Sequence, residues 1–373
     1  MPLTPNALDL RAPAVHYFCP LTPFAGWAAN VGDIVFPDPG REDDLPKVRD
    51  RTARVKKCGP AFEAIMRIIS ADDMQQGLTF DALIDALDEA HRQPMPKMGD
   101  TLLNTGNADY LVRSAWMPGR MLGSKMVTVF PDNPTNGSLP SVQGVYALFD
   151  GIDGSATAIV DGTALTYWKT AADSALGARY LARSEPETLL MVGAGALAPW
   201  LVRAHLSVRP SLSRVLIWNR SADRASSLAR TLNDEGIPAR QTGDLESAAR
   251  SADLITCATL SRSPLIRGTW LQPGSHLDLV GSYLPEMREA DDEAMARARV
   301  FVDCRATTLE LVGDLIEPIR SGAITTDGIL GDLYDLAQGC PARTTQSQIT
   351  VYKNAGGAHL DLITAQAVVQ LLD

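Results

Sequence analysis

Gly193, Gly195 and Ala198, in the stretch LLMVGAGALAP, stand in G-x-G-x-x-A spacing between an apolar run and an Ala-rich one. Such a turn can receive a pyrophosphate: a buried strand leads in, a helix leads out, and the N–H groups at the helix start face the ligand. Gly193 permits the tight turn, Gly195 lets phosphates reach the backbone beside Ala194, and Ala198 allows close helix–strand packing. Turns of this composition also occur in α/β domains without a ligand, so a purely structural reading stands beside this one. The next strand bears on cofactor choice. An NAD site usually places Asp or Glu at its end to accept from the ribose 2′-hydroxyl; here LIWNRS puts Asn219 and Arg220 in that place. A guanidinium there meets a 2′-phosphate through charge-assisted hydrogen bonds. NADP(H) is therefore the preferred cofactor, with NAD(H) still open and a solvated loop charge the alternative for Arg220. Thr259, closing ITCAT, falls by the same cofactor or packs a strand end.

Other residues with chemical potential are less specific. Arg113 in YLVRSAWM and Lys125 in GSKMV are, by themselves, cations on predicted strands, and Lys169 precedes a predicted helix. His276 and His359 have no Ser or Cys partner at triad spacing and read as structural. Asp291 and Asp292 suit the start of a helix, where carboxylates oppose the dipole. Five scattered cysteines, Cys19, Cys58, Cys257, Cys304 and Cys340, show no C-x-x-C pair, which argues against a disulfide framework or a zinc site. No His/Cys/carboxylate cluster suggests any other metal.

The elements that must position these residues fall into three regions. Residues 1–65 hold nine of the 24 prolines and end in REDDLPKVRDRTARVKK, without sustained period; they read as an extension. Met66 opens MRIISADDM, the expected first strand and turn, so translation from Met66 and a non-native extension remain open. LTFDALIDALDEAHR places Phe80, Leu83, Ile84 and Leu87 on one helical face. Three strand-like pieces follow, ADYLVRSAWM, MLGSKMVTVF and VQGVYALFD, and then a helix predicted to be N-capped by Thr170. From about 187, short apolar strands alternate with helices, which implies a parallel sheet with right-handed crossovers. The expected division is 66–183 plus 306–373 as one α/β domain and 184–305 as a dinucleotide-binding domain. The net charge of −10, from 34 basic and 44 acidic residues, argues against nucleic acid or an anionic membrane as partner. Without a spanning apolar run or a secretion signal, the expected location is cytoplasmic.

Five strings in order, LGSKMVTVFPDNPTNGSLPSVQGVYALFD, DGTALTYWKTAADSALGARYLAR, LLMVGAGALAP, VGSYLPEMREADDEAMARARVFVDC and ITVYKNAGGAHLDL, resemble the ornithine cyclodeaminase/mu-crystallin family. The resemblance runs from about Met66 to the C-terminus. It implies a homodimer in which a Rossmann-type domain is inserted in a substrate-binding and dimerisation domain. By the same resemblance Lys125 matches the active-site lysine, Arg113 the substrate-carboxylate arginine, and Ser141 a Ser or Thr near nicotinamide and substrate; Asp361 lines the cleft or stabilises a helix start.

Two positions depart from the family pattern. Lys169 stands where members usually carry Arg, and Tyr283 where ornithine cyclodeaminases hold an aspartate for the substrate amine. The string GSYLPEMREADD is closer to imine-reducing members. The implied reaction is NADPH-dependent reduction of Δ1-pyrroline-2-carboxylate or Δ1-piperideine-2-carboxylate, a step of proline and amino acid metabolism. In it Arg113 and Lys169 hold the carboxylate and Lys125 serves the imine nitrogen. Ornithine cyclodeamination with bound NAD, and NADPH binding without turnover, remain the alternatives.

Overall fold

The computed structural model describes residues 66–133, 137 and 139–373; the extension of residues 1–65 lies outside them. Two sheets carry the fold, each built around a different hydrophobic rhythm.

The first sheet has six strands: β1 (Arg67–Ile69), β2 (Lys97–Asn104), β3 (Asp109–Met117), β4 (Met121–Val129), β5 (Val142–Asp150) and β6 (Ala156–Asp161). Their order is β1-β6-β5-β4-β3-β2, antiparallel except for the β1–β6 edge. Alternation along β3 to β5 turns one face toward helices and leaves the other in solvent. The helices covering the inner face include α2 (Phe80–His91), whose Phe80, Leu83, Ile84 and Leu87 are buried as their spacing predicts. α1 (Ala71–Gly77) precedes it, opened by a Ser70–Asp73 capping box.

The long helix α3 (Gly162–Leu181) corrects one expectation. It starts eight residues before Thr170, with Asp161 as its N-cap accepting from the Ala164 N–H at 2.8 Å. The Asp-Gly pair reads like a turn, yet Asp161 ends β6 and caps the helix directly. Lys169 therefore sits inside α3, beyond the first turn in which the helix dipole acts.

The second sheet is wholly parallel and has eight strands: β7 (Thr188–Val192), β8 (Arg214–Trp218), β9 (Ala239–Gln241), β10 (Leu254–Cys257), β11 (His276–Leu279), β12 (Ala298–Val302), β13 (Ile329–Gly331) and β14 (Ile349–Lys353). The order is β13-β12-β14-β11-β10-β7-β8-β9. All five residues of β7 are buried, as a strand covered on both faces requires. α4 (Ala198–Val208), α5 (Ala222–Asp234) and α6 (Leu245–Ser251) link the strands around β7, and the strand order reverses between β7 and β10. α7 (Asp292–Arg297) is N-capped by Asp291, as the acidic pair suggested. α8 (Arg305–Thr308), α9 (Gly313–Arg320) and α10 (Leu333–Ala337) follow.

The segment after 306 divides between the sheets instead of returning whole to the first domain. β13 and β14 join the parallel sheet, β14 between β11 and β12, and only α11 (Ala358–Leu371) crosses to the six-stranded sheet, where it packs on β2, β3 and β4. ITVYK is a short apolar run whose burial on both faces only the completed sheet supplies.

Candidate active site

A cleft of about 570 Å³ opens beyond the carboxyl ends of β7, β8 and β10, lined among others by Gly193, Ala194, Gly195 and Thr259. This is the switch point of the parallel sheet, where open α/β folds bind ligands. Gly193 has φ +114°, and a Cβ there would lie 2.6 Å from the Ala258 carbonyl oxygen; at Gly195 the corresponding space is open. Among the described residues no side chain caps the start of α4, so the turn leaves a backbone cradle for phosphate. Asn219 and Arg220 also line the cleft. The Asn219 side chain donates to the Ser221 carbonyl at 3.0 Å and so shapes the turn that presents Arg220. Arg224, four residues on, lines the same wall. Neither arginine has an ion-pair partner among the described residues, and the Ser221 hydroxyl makes no cap bond. No carboxylate stands at the end of β8. The residues present therefore fit a dinucleotide.

Sequence reasoning missed Arg224. The spacing N-R-S-x-x-R carried the signal, since a cation in the first turn of α5 reaches the same place as one just before it.

A second group of polar side chains is built on the six-stranded sheet. Asp100, Arg113, Lys125 and Tyr146 are direct cross-strand neighbours on β2 to β5, so they form one row on one face. Two cations side by side in such a row repel each other unless anions intervene. Arg113 Nε donates to Asp100 Oδ2 at 3.0 Å. Lys125 Nζ donates to Asp361 Oδ1 at 2.9 Å, and Lys169 Nζ pairs with the same carboxylate. Lys125, Lys169 and Asp361 are all buried. Burial opposes ionisation of Asp361, but the two lysines outweigh it and hold its carboxyl below the usual range. Burial pushes Lys169 down to about 7, against the pull of Asp361 and with help from Lys125. Tyr146 is buried with its hydroxyl unpartnered among the described residues; burial, then Asp361, keeps the phenol protonated. Tyr146 was not foreseen, because only the strand register places it beside Lys125.

Both groups lie beyond the carboxyl ends of the parallel strands. Asn354, directly after β14, donates to the Thr170 carbonyl at 3.0 Å, and Gly356 lies against Lys169. Asp303, after β12, accepts from the N–H groups of Ala355 and Gly356 and so holds the turn that leads into α11 and Asp361.

The remaining candidates are placed elsewhere. Ser141 stands just before β5, its carbonyl accepting from the Phe130 N–H at 2.7 Å. It is five residues, or about 17 Å of strand, from Tyr146, and it does not line the cofactor cleft. The structure thus does not bring Ser141 to either group; the long excursion between β4 and β5 carries it past the strand end. Tyr283 is 59% exposed and likewise stands outside the lysine cluster. His276 is buried against Thr350 at 2.9 Å. His359 is also buried, its pKa pushed to about 3 by burial first and by His91 and Lys169 next. Among the described residues no group of three or more His, Cys, Asp or Glu side chains is placed to hold a metal.

The family model described as ornithine cyclodeaminase/mu-crystallin matches residues 78–372. The chain belongs to the ornithine cyclodeaminase/mu-crystallin family. Among its relatives in that family is a Delta(1)-pyrroline-2-carboxylate reductase of Paracoccus denitrificans, 43% identical, the match covering 82% of this chain and 97% of that one. The ketimine reductase mu-crystallin of Rattus norvegicus is 33% identical over 66% of this chain and 75% of its own length. Of the solved structures, Thermococcus litoralis Delta(1)-pyrroline-2-carboxylate reductase in complex with NADH and L-proline superposes with a TM-score of 0.75 at 26% identity, covering 82% of this chain and 97% of that one. Family membership makes the parallel-sheet domain a Rossmann-type nicotinamide domain and the chain an oxidoreductase.

Proposed function

We propose that the protein reduces a cyclic ketimine carboxylate, Δ1-pyrroline-2-carboxylate or its six-membered homologue Δ1-piperideine-2-carboxylate, to L-proline or L-pipecolate, with NADPH preferred to NADH. The observation that carries this reading is the buried charge around Asp361. The buried Lys125 and Lys169 face the single carboxylate of Asp361, and Arg113 beside them pairs with the half-exposed Asp100, so that with Lys169 protonated the buried cluster carries one positive charge in excess, which an anion satisfies. The carboxylate of a small imino acid is that anion.

Each residue then has a role. Arg113 and Lys169 hold the substrate carboxylate. Lys125 donates to the imine nitrogen and delivers its proton, with Asp361 keeping the ammonium in place; the Tyr146 hydroxyl is a second neutral donor beside it. Gly193, Ala194 and Gly195 would hold the pyrophosphate; Asn219, Arg220, Ser221 and Arg224 would hold the 2′-phosphate, and Thr259 would form the facing wall. The nicotinamide cofactor, when bound, supplies the hydride. Enclosure of the lysine cluster excludes water and strengthens each electrostatic contact with the substrate.

Ornithine cyclodeamination fits less well, since the position expected to hold the substrate amine is the exposed Tyr283. The test is NADPH oxidation with Δ1-pyrroline-2-carboxylate beside an ammonia assay with ornithine and NAD⁺. Oxidation with formation of proline, and no ammonia, is the expected result. Ammonia release without imine reduction would make the protein a cyclodeaminase, and tight NADPH binding without either reaction would make it a binding protein.

A further inference from the structure

Glu289 is fully buried, yet it belongs to neither group of site residues. Its side chain collects three donors. Oε1 accepts from the Thr259 N–H at 2.7 Å and from the Thr259 hydroxyl at 2.8 Å, and Oε2 accepts from the Gly281 N–H at 2.7 Å. Thr259 and Gly281 follow the adjacent strands β10 and β11, and the two backbones touch: a Cβ on Gly281 would lie 2.0 Å from the Thr259 carbonyl oxygen. Thr259, Leu260 and Ser261 line the dinucleotide cleft. Gly281 begins the loop that carries Tyr283, which is closed again by the Ser282 hydroxyl donating to the Met287 carbonyl at 2.8 Å.

We propose that Glu289 is a positioning residue for the cofactor, its ionised carboxylate tying Thr259 to Gly281 and thereby setting the wall of the cleft opposite the glycine turn. The proposal rests on the dinucleotide reading of that cleft. An ionised carboxylate is an acceptor only and satisfies all three donors. A protonated one brings a hydroxyl that must itself donate. On Oε2 that hydroxyl meets the Gly281 N–H head-on and the tie gives way; on Oε1 it finds an acceptor only if the Thr259 hydroxyl turns round, which weakens the tie to Thr259.

The surroundings put that change within reach of ordinary pH. Asp314 on α9 accepts from the Glu289 N–H at 2.8 Å, and Lys353 on β14 lies 3.5 Å from the Asp314 carboxylate. Lys353 also donates to the Leu279 carbonyl at 3.1 Å, and the buried thiol of Cys257 on β10 completes the set of titratable neighbours. Two carboxylates thus share one ammonium. Burial first, and Asp314 second, push the Glu289 carboxyl up to about 7, against the opposing pull of Lys353 and the Thr259 bonds. The site is therefore built when Glu289 loses its proton and loosens when it regains it.

The test is the dissociation constant of NADPH and of NADH, read by cofactor fluorescence between about pH 6 and pH 8.5, with melting temperatures measured alongside. The use of NADH removes the titration of the 2′-phosphate. Wild-type protein is expected to bind both cofactors several-fold more weakly at the acid end. Glu289→Gln places an amide N–H against Thr259 or Gly281. It should bind both about tenfold more weakly at the alkaline end, the loss of one satisfied hydrogen bond, and lose the pH step. Its melting temperature should not fall in proportion, because the substitution also removes a buried charge. Asp314→Asn, which does not touch the cleft, should move the step to lower pH. An unchanged step in both variants, or pH-independent binding by the wild type, would overturn the role of Glu289 while leaving the dinucleotide site intact. Failure of the wild type to bind either cofactor at any pH would overturn both.

Discussion

Lys169 stands where the family resemblance implies Arg, and its burial makes the difference measurable. With a pKa of about 7 in the folded protein against an ordinary 10.5, it sheds its proton just above neutrality. The buried ammonium destabilises the fold in full below about 7. Between 7 and 10.5 the folded chain binds fewer protons than the unfolded one, so this group adds stability as pH rises. Substrate binding runs the other way, since the neutral amine no longer attracts a carboxylate. The KM for Δ1-pyrroline-2-carboxylate is expected to rise from about pH 7 upward, and Lys169→Arg, which stays charged, should flatten that rise. Steady-state kinetics across the range checks this, and an identical rise in the variant would remove Lys169 from the carboxylate site. At the other group, Arg220→Ala or Arg224→Ala should weaken NADPH by about ten- to a hundredfold, the loss of a hydrogen bond to a charged group, and NADH far less. Equal losses for both cofactors in a binding titration would refute the 2′-phosphate assignment. Arg220 was legible in the sequence because its position after β8 is fixed by the strand. Asp361 and Tyr146 owe their places to pairings across more than a hundred residues and to strand register.

At the scale of elements, apolar period and turn composition carried most of the fold: β3 to β5, β7, β8, β10 and α2 lie where those signals place them. What was not legible depended on partners distant in sequence. β9 and β13 have three residues each, too short for any period, and β14 is recognisable as a core strand only between β11 and β12. The start of α3 was obscured because Asp161-Gly162 has the composition of a turn, and this displaced Lys169 by two helical turns. The glycine turn after β7 is the element whose chemistry and fold are hardest to separate. Gly193→Ala forces a residue with Cβ into φ +114° and against the Ala258 carbonyl, a strain worth about 1–3 kcal/mol. Thermal unfolding should show that loss, together with weakened binding of NADPH and NADH alike. A variant with wild-type stability and affinity would mean that the turn relaxes and that Gly193 is not required.

For the whole molecule, the two faces of the six-stranded sheet differ in how much apolar surface they leave exposed. The inner face carries the charged row and is covered by helices. The outer face presents Leu103 and Tyr110, a direct pair on β2 and β3, with Trp116 further along β3 and Val145 on β5 beyond β4, all exposed. A run of large apolar side chains on one sheet face is costly to leave in water and marks an association surface. We propose that this face forms the homodimer implied by the family resemblance. Trp116, 47% exposed and opposite Leu122 on β4 and Lys97 on β2, stands at the end of this face away from Leu103 and Tyr110. Trp116→Glu would place a charge in a desolvated contact without touching the inner row or the dinucleotide cleft. Sedimentation should therefore find the wild type as a dimer and the variant as a monomer that still binds NADPH. A wild-type monomer at micromolar concentration would refute the dimer, and a dimeric variant would move the interface to another face.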